Sequence, residues 1–244
     1  MHLSWPETGE PKALMPDAVH VWAVPLDAGW ADDESPLSAD ERRRAELFRR
    51  PEARRRFVAA RVGLRVILGR YLGRGPADVP IDLEPAGKPR LAAAGVGEST
   101  LEFNLSHSGE LALVAVADGG AVGVDVERLR PVKRLEEIAV RFFSRREHDA
   151  ILAAAPAGRP DAFLRCWTGK EAVLKAIGLG LGHPLDSFDA WPVDPAGGWI
   201  NLPPRSPDGA VRCWLAPVAP CDDYVGAVAC VASSRRVVGY ALGR

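Results

Sequence analysis

Eighteen residues, Asp161 to Gly178 (DAFLRCWTGKEAVLKAIG), read as one helix with a lysine set into its apolar face. At about 100° per residue, Phe163, Cys166, Val173, Leu174 and Ile177 share one side, and Lys170 projects near its middle. Glu171 stands one step aside, and Lys175 lies one turn beyond it. An ammonium in a core is costly unless an anion meets it. The helix is therefore expected to touch more than its own core. The plainer alternative is a lysine that runs past the core edge on its aliphatic stem.

At 244 residues the chain can bury a substantial core, as one large domain or two small ones. Its 47% apolar and 26% charged content is that of a soluble globular protein. A net charge of -1 gives no global steering toward nucleic acid or a membrane, and neither is expected as a partner. Arginine is nevertheless concentrated in ERRRAELFRRPEARRRFVAARVGLR, Glu41 to Arg65. The four cysteines (Cys166, Cys213, Cys221, Cys230) lack the close pairing of a zinc site and read as reduced thiols. With no apolar leader after a basic start and no membrane-length apolar run, a cytoplasmic location is expected.

Along the chain, Val19 to Asp27 alternates as a strand. Ser38 with Glu41 has the form of a capping box and opens a helix toward Phe48. Pro51 can start a second helix, which stops near Gly73. Leu101 to Ser106 and Leu111 to Ala117 read as a hairpin, and Asp118 to Gly120 breaks the chain. Ala121 to Glu127 is a further strand, followed by helical patterns at Val132 to Phe143 and over the opening helix. Strand patterns return at Val211 to Leu215 and Tyr224 to Ala232. Each half is strand, helix, strands, without βαβα alternation. The expected class is α+β, with lobes at 1–118 and 119–244.

The strand GAVGVDVE sends Val122, Val124 and Val126 one way and Gly123, Asp125 and Glu127 the other. Two carboxylates then lie side by side, with a glycine leaving space beside them. They repel and perturb each other unless a cation intervenes, and a hard ion such as Mg²⁺ suits them. A solvated strand face would show the same D-x-E pattern. Glu171 becomes a third carboxylate if its helix packs beside that strand, and Lys170 and Lys175 then reach whatever the metal binds. Metal plus lysines describes a site for phosphates. Otherwise Glu171 and Lys175 are an i,i+4 surface pair. His107, in the hydroxyl-rich turn NLSHSG, can donate to a phosphate or be structural. The basic segment suits a polyphosphate or an acidic protein and lacks the aromatics of a nucleic-acid platform. GKPRL adds Lys88 in a loop.

Four of these segments together resemble the Sfp-type 4′-phosphopantetheinyl transferases. GVDVE matches that family's G-(I/V)-D-(I/V)-E motif. FLRCWTGKEAVLKAIGLGL matches F-x-x-x-W-(T/S)-x-K-E-(A/S)-x-x-K-x-x-G-x-G-L, and FNLSHSGELALVAVA and GKPRL match its other two blocks. Order and spacing agree over most of Phe48 to Leu185. The resemblance implies a monomer of two α+β lobes related by pseudo-twofold symmetry, with the active site between them. The implied reaction moves the phosphopantetheine arm of coenzyme A to a serine of an apo acyl or peptidyl carrier protein, with Mg²⁺ (Mn²⁺ as substitute). Adenosine 3′,5′-bisphosphate is the other product.

By position in the motifs, Asp125, Glu127 and Glu171 match the metal site, and Glu171, Lys175 and His107 form the expected catalytic set, with Glu171 as base and Glu127 or a metal-bound water as competitors for that role. Lys88, Ser106, His107, Lys170 and Lys175 match the coenzyme A side, and Arg61 with Arg49 or Arg50 matches contacts to the 3′-phosphate. Lys170 can equally hold Glu171 in place. Two other readings fit the residues alone: a metal-dependent nucleotide phosphohydrolase, and a non-catalytic module that binds coenzyme A or a carrier protein.

Overall fold

The computed structural model describes residues 5–83, 88–92, 97, 99–179, 183–191, 194–203 and 211–243. Its strands are β1 (Glu7–Thr8), β2 (Ala18–Pro25), β3 (Ile81–Leu83), β4 (Pro89–Leu91), β5 (Leu101–Ser108), β6 (Leu111–Asp118), β7 (Val122–Arg128), β8 (Gly198–Leu202), β9 (Val211–Val218), β10 (Tyr224–Val231) and β11 (Arg236–Leu242). Its α-helices are α1 (Ala39–Glu46), α2 (Pro51–Leu72), α3 (Leu135–Phe142), α4 (Arg145–Ala153) and α5 (Arg159–Ala176).

Local chemistry accounts for the helix ends. Ser38 Oγ accepts the Glu41 N–H at 3.2 Å, and the Glu41 carboxylate accepts the Ser38 N–H at 3.0 Å, so the capping box starts α1. α1 ends at Glu46, short of Phe48. Pro51 opens α2, and Gly73 closes it in the left-handed conformation at φ 61°. Ser144 and Glu147 make a second capping box, at the head of α4. The helix expected over Val132 to Phe143 begins only at Leu135, because Arg134 sits at φ 56°. The opening helix is displaced two residues toward the N-terminus, with Pro160 in its first turn.

One sheet has the order β1-β11-β2-β6-β5, a second β7-β10-β9-β8, and β3 and β4 form a small ribbon. The topology repeats. In the first lobe, β2 is followed by helices, then β5 and β6, with β6 between the other two. In the second, β7 is followed by helices, then β9 and β10, with β10 between the other two. All these pairings are antiparallel. The class is α+β.

β11 crosses the boundary expected at 118/119. This C-terminal strand returns to the first sheet and pairs in parallel with β2, Val237 opposite Val19 and Ala241 opposite Ala23. Arg235 holds the crossing, donating to the carbonyls of Ala18, Asp118 and Gly119.

Alternation along the strands builds helix, sheet, sheet and helix in layers. Val19, Val21, Leu113 and Ala115 of the first sheet pack on Val122, Val124, Val126 and Val228 of the second. The opposite face of the first sheet, with Trp22, Val24 and Val114, meets Ala59, Leu64 and Ile67 of α2. The opposite face of the second, with Cys213, Leu215 and Ala229, meets Ala172, Val173 and Leu174 of α5.

The two sheets also meet edge to edge. β5 and β7 run side by side without a backbone ladder among the described residues, and side chains bridge them instead. Val124 N–H donates to Asn104 Oδ1 at 3.0 Å and Arg128 N–H to Ser108 Oγ at 3.2 Å. Two strand edges that would otherwise stand open thus cover each other. The four cysteines are buried and unpaired. Among the described residues no helix is long and apolar enough to cross a membrane.

Candidate active site at the seam between the lobes

The seam places the chemistry. The alternation of β7 turns its valines into the inter-sheet core and turns Asp125 and Glu127 toward α5. Gly123 then sets the helix distance. A Cβ at this position would stand 2.1 Å from the Ala172 carbonyl and 2.4 Å from Ala176 N, so only glycine lets α5 lie this close. The space expected beside the carboxylates is filled by helix backbone. The gain is that Glu171 and Lys175 arrive beside Asp125.

Lys175 Nζ lies 2.6 Å from Asp125 Oδ1, 2.9 Å from Ser106 Oγ and 3.2 Å from the Val124 carbonyl. Ser106 Oγ donates to the same Asp125 oxygen at 2.7 Å. Glu127 accepts the Ser108 hydroxyl at 2.8 Å and faces Arg130 at 3.5 Å. Glu171 Oε1 is buried and has no hydrogen-bond partner. Burial raises the Glu171 carboxyl above its ordinary pKa, and the nearby Asp125 and Glu127 charges add to this while Lys175 opposes it.

A cleft of about 590 Å³ opens beside this cluster. Its walls carry Arg44, Arg56, Arg61, Lys88 and His107, and Lys175 from α5. Phe48, Phe57, Pro89 and Leu105 supply apolar surface. Arg61 is almost fully buried over the Phe57 ring, and its Nη1 has no partner. An unmatched guanidinium N–H on a cleft wall suits an anion. Burial, then the charges of Lys175, Arg61 and Arg56, hold the His107 imidazole below its ordinary pKa, which favours its neutral form. Lys88 Nζ donates to the Lys175 carbonyl at 3.0 Å, so the GKPRL segment reaches the end of α5. Gly87 of that segment, and Gly180 and Leu181 at the end of the helix motif, lie outside the described residues.

The fold therefore gathers Lys88, Ser106, His107, Asp125, Glu127, Glu171, Lys175 and Arg61 at one seam. Three predicted residues stand elsewhere. Lys170 is 0% exposed, and its ammonium pairs with Glu147 Oε2 at 2.7 Å and donates to the Leu185 and Phe188 carbonyls. It is a core residue that has found its anion, not a contact to a ligand in the cleft. Arg49 and Arg50 lie exposed between α1 and α2, away from the cleft wall. Arg44 and Arg56 take the wall positions instead. The spacing of Ala53, Arg56, Phe57, Ala60 and Arg61, one helical stripe, carries the signal that would have selected Arg56. Sequence reasoning also missed Tyr224, whose hydroxyl accepts the Glu110 N–H at 3.0 Å and packs under Gly109 (φ 56°), fixing the hairpin that bears His107.

Among the described residues no three acidic, histidine or cysteine side chains are gathered into a ready metal cage. The donor set still fits a hard cation: three carboxylates influence one another here, and one buried carboxylate oxygen has no partner.

Comparison with known proteins places this arrangement. A family model described as the 4′-phosphopantetheinyl transferase superfamily matches residues 121–229, and one described as 4′-phosphopantetheinyl transferase, N-terminal, matches residues 21–118. The chain is 47% identical over 222 residues to the 4′-phosphopantetheinyl transferase HetI of Nostoc sp., covering 88% of this chain and 89% of that protein. It is 32% identical over 205 residues to a 4′-phosphopantetheinyl transferase of Bacillus subtilis, covering 84% and 87%. It is 34% identical over 167 residues to the 4′-phosphopantetheinyl transferase Sfp of Bacillus subtilis (strain 168), covering 64% and 71%. With both lobes matched and a relative aligned over nearly its whole length, the chain belongs to the 4′-phosphopantetheinyl transferase family.

Proposed function

We propose that this transferase takes the 4′-phosphopantetheine arm from coenzyme A, places it on a serine hydroxyl of an apo acyl or peptidyl carrier protein, and releases adenosine 3′,5′-bisphosphate. The observation that carries the reading is the junction of two opposite charge sets at the β5–β7 seam. Arg44, Arg56, Arg61, Lys88 and Lys175 line the cleft, and Asp125, Glu127 and Glu171 lie close enough beside Lys175 to influence one another. Coenzyme A is a long polyanion with a 3′-phosphate and a diphosphate, and it needs cations spread in this way.

Arg61, with an unmatched N–H, and His107 suit the 3′-phosphate end, and Lys88 and Lys175 suit the diphosphate. The serine oxygen attacks the phosphorus bearing the arm. A new P–O bond forms, and the P–O bond to the adenosine side breaks. The serine proton must leave during attack. Glu127 already accepts Ser108 and faces Arg130, whereas Glu171 keeps a bare oxygen and a raised pKa. Glu171 is therefore assigned the proton. Asp125, Glu127 and Glu171 would hold Mg²⁺ or Mn²⁺, which supplies neutralisation of diphosphate charge.

The test is intact mass spectrometry of apo acyl and peptidyl carriers with coenzyme A and Mg²⁺. A gain of one phosphopantetheine on a carrier is expected. Release of bisphosphate with no gain on any carrier would instead mean hydrolysis and would sink the proposal. Glu171→Gln should lower kcat by roughly 10²- to 10⁴-fold, the usual worth of a positioned base.

A further inference from the structure

Lysine has three N–H donors. In Lys175 all three lie on protein acceptors: Asp125 Oδ1 at 2.6 Å, Ser106 Oγ at 2.9 Å and the Val124 carbonyl at 3.2 Å. Ser106 donates to the same Asp125 oxygen, closing a compact ring of bonds around a carboxylate that is only 6% exposed. The ammonium lines the cleft yet has no hydrogen left for an incoming phosphate. Beside it, Glu171 Oε1 is buried without a partner, so the acidic cluster is short of one cation.

This geometry obstructs either ligand on its own. A divalent cation that approaches Asp125 meets a positive charge already bonded to the oxygen it needs, and like charges at such separations repel strongly. A diphosphate meets a lysine whose donors are occupied. When both arrive, the bonds can be exchanged without loss: the lysine trades its carboxylate for phosphate oxygens, and the cation takes the carboxylate.

We propose that Lys175 is an exchangeable counter-ion. It neutralises Asp125 until cation and diphosphate are both present, and so makes the two bind cooperatively. This rests on the reading that the seam takes the diphosphate of coenzyme A together with a divalent cation. Coupling of this kind is reciprocal, so each ligand must tighten the other by the same factor.

Mn²⁺ is the probe, with the free ion counted by electron paramagnetic resonance in titrations with and without coenzyme A, corrected for the Mn²⁺ that coenzyme A binds alone. In the unaltered protein, coenzyme A should tighten Mn²⁺ at least about 10-fold, within the usual span of coupling between sites. Lys175→Met should bind Mn²⁺ more tightly than the unaltered protein when coenzyme A is absent, and should lose most of the coupling. Ser106→Ala removes one of the three acceptors without changing charge. It should move the same way by about two- to ten-fold, the worth of one hydrogen bond, and serves if Lys175→Met does not fold. Coupling that is the same in all three proteins, or weaker Mn²⁺ binding in Lys175→Met alone, would overturn the exchange. If the unaltered protein still modifies a carrier protein in a Mg²⁺-dependent way, that failure leaves the transferase reading standing. Carrier modification that persists undiminished in a chelator, with no Mn²⁺ bound, removes the exchange and the metal site together and leaves the transfer itself standing.

Discussion

Lys170 and Lys175 lie five positions apart on α5, about 140° around the helix at 100° per residue. One faces a sealed core and the other a cleft, and the same charge does different work in each. Lys170 and Glu147 are both 0% exposed, and Glu147 also accepts the N–H groups of Ser144 and Ala190. Lys170→Met should therefore cost about 3–5 kcal/mol in urea unfolding, because Glu147 is left charged and buried. Adding Glu147→Gln should recover part of that loss. His107 gives a second prediction at this scale. Its free imidazole is held below the ordinary value of 6.5, and a bound phosphate would raise it. Coenzyme A binding should then take up protons, and affinity should fall as pH rises through the range bounded by the free and bound values. Calorimetry in buffers of different ionisation enthalpy reads this uptake, which His107→Gln should diminish.

At the scale of elements, much was legible and the misses are instructive. Alternation in GVDVE gave the two faces of β7 correctly, because strand side chains alternate whatever lies beyond them. The capping pairs Ser38/Glu41 and Ser144/Glu147 mark helix starts by the same local logic. β11 was not legible: RVVGYAL has too little alternation to announce a strand, and its partner β2 is some two hundred residues away. Arg44 and Arg56 were hidden among neighbours of identical charge, and only packing on the first sheet tells which arginines look inward. α5 lies close over Gly123 of β7. Gly123→Ala must push the helix away from β7, since its Cβ would meet backbone atoms rather than a movable side chain. A stability loss of about 1–3 kcal/mol is expected from overpacking. Carrier modification should fall much further, because Glu171 and Lys175 move with the helix, and kcat/KM measured beside a thermal melt separates the two effects.

At the scale of the whole molecule, stability should depend on acid through a group remote from the seam. His20 is buried on β2, where its Nδ1 lies 2.7 Å from the Tyr71 hydroxyl, which also accepts the Trp22 indole N–H at 2.8 Å. His20 and Tyr71 thus share a hydrogen bond between β2 and α2. Burial, aided by Arg236, lowers the His20 pKa from 6.5 to about 4. The unfolded chain binds the proton first, so the contribution is whole above pH 6.5 and drains away as pH falls toward 4. The loss is on the order of 3 kcal/mol at full extent. Urea midpoints across that window should show it, and His20→Leu should flatten the slope.

The sequence alone determined β2, α1, α2, β5, β6 and β7, the carboxylate face of β7, the helix with Glu171 and Lys175, and the motifs that mark the family, because periodicity, capping and motif spacing are properties of neighbouring residues. The tertiary structure decided which lysine is core and which is cleft, which arginines line the wall, and that the C-terminal strand completes the first lobe. Those outcomes depend on what stands opposite each face. Here that was set by β5 and β7 meeting edge to edge and by one glycine that lets a helix backbone approach a strand.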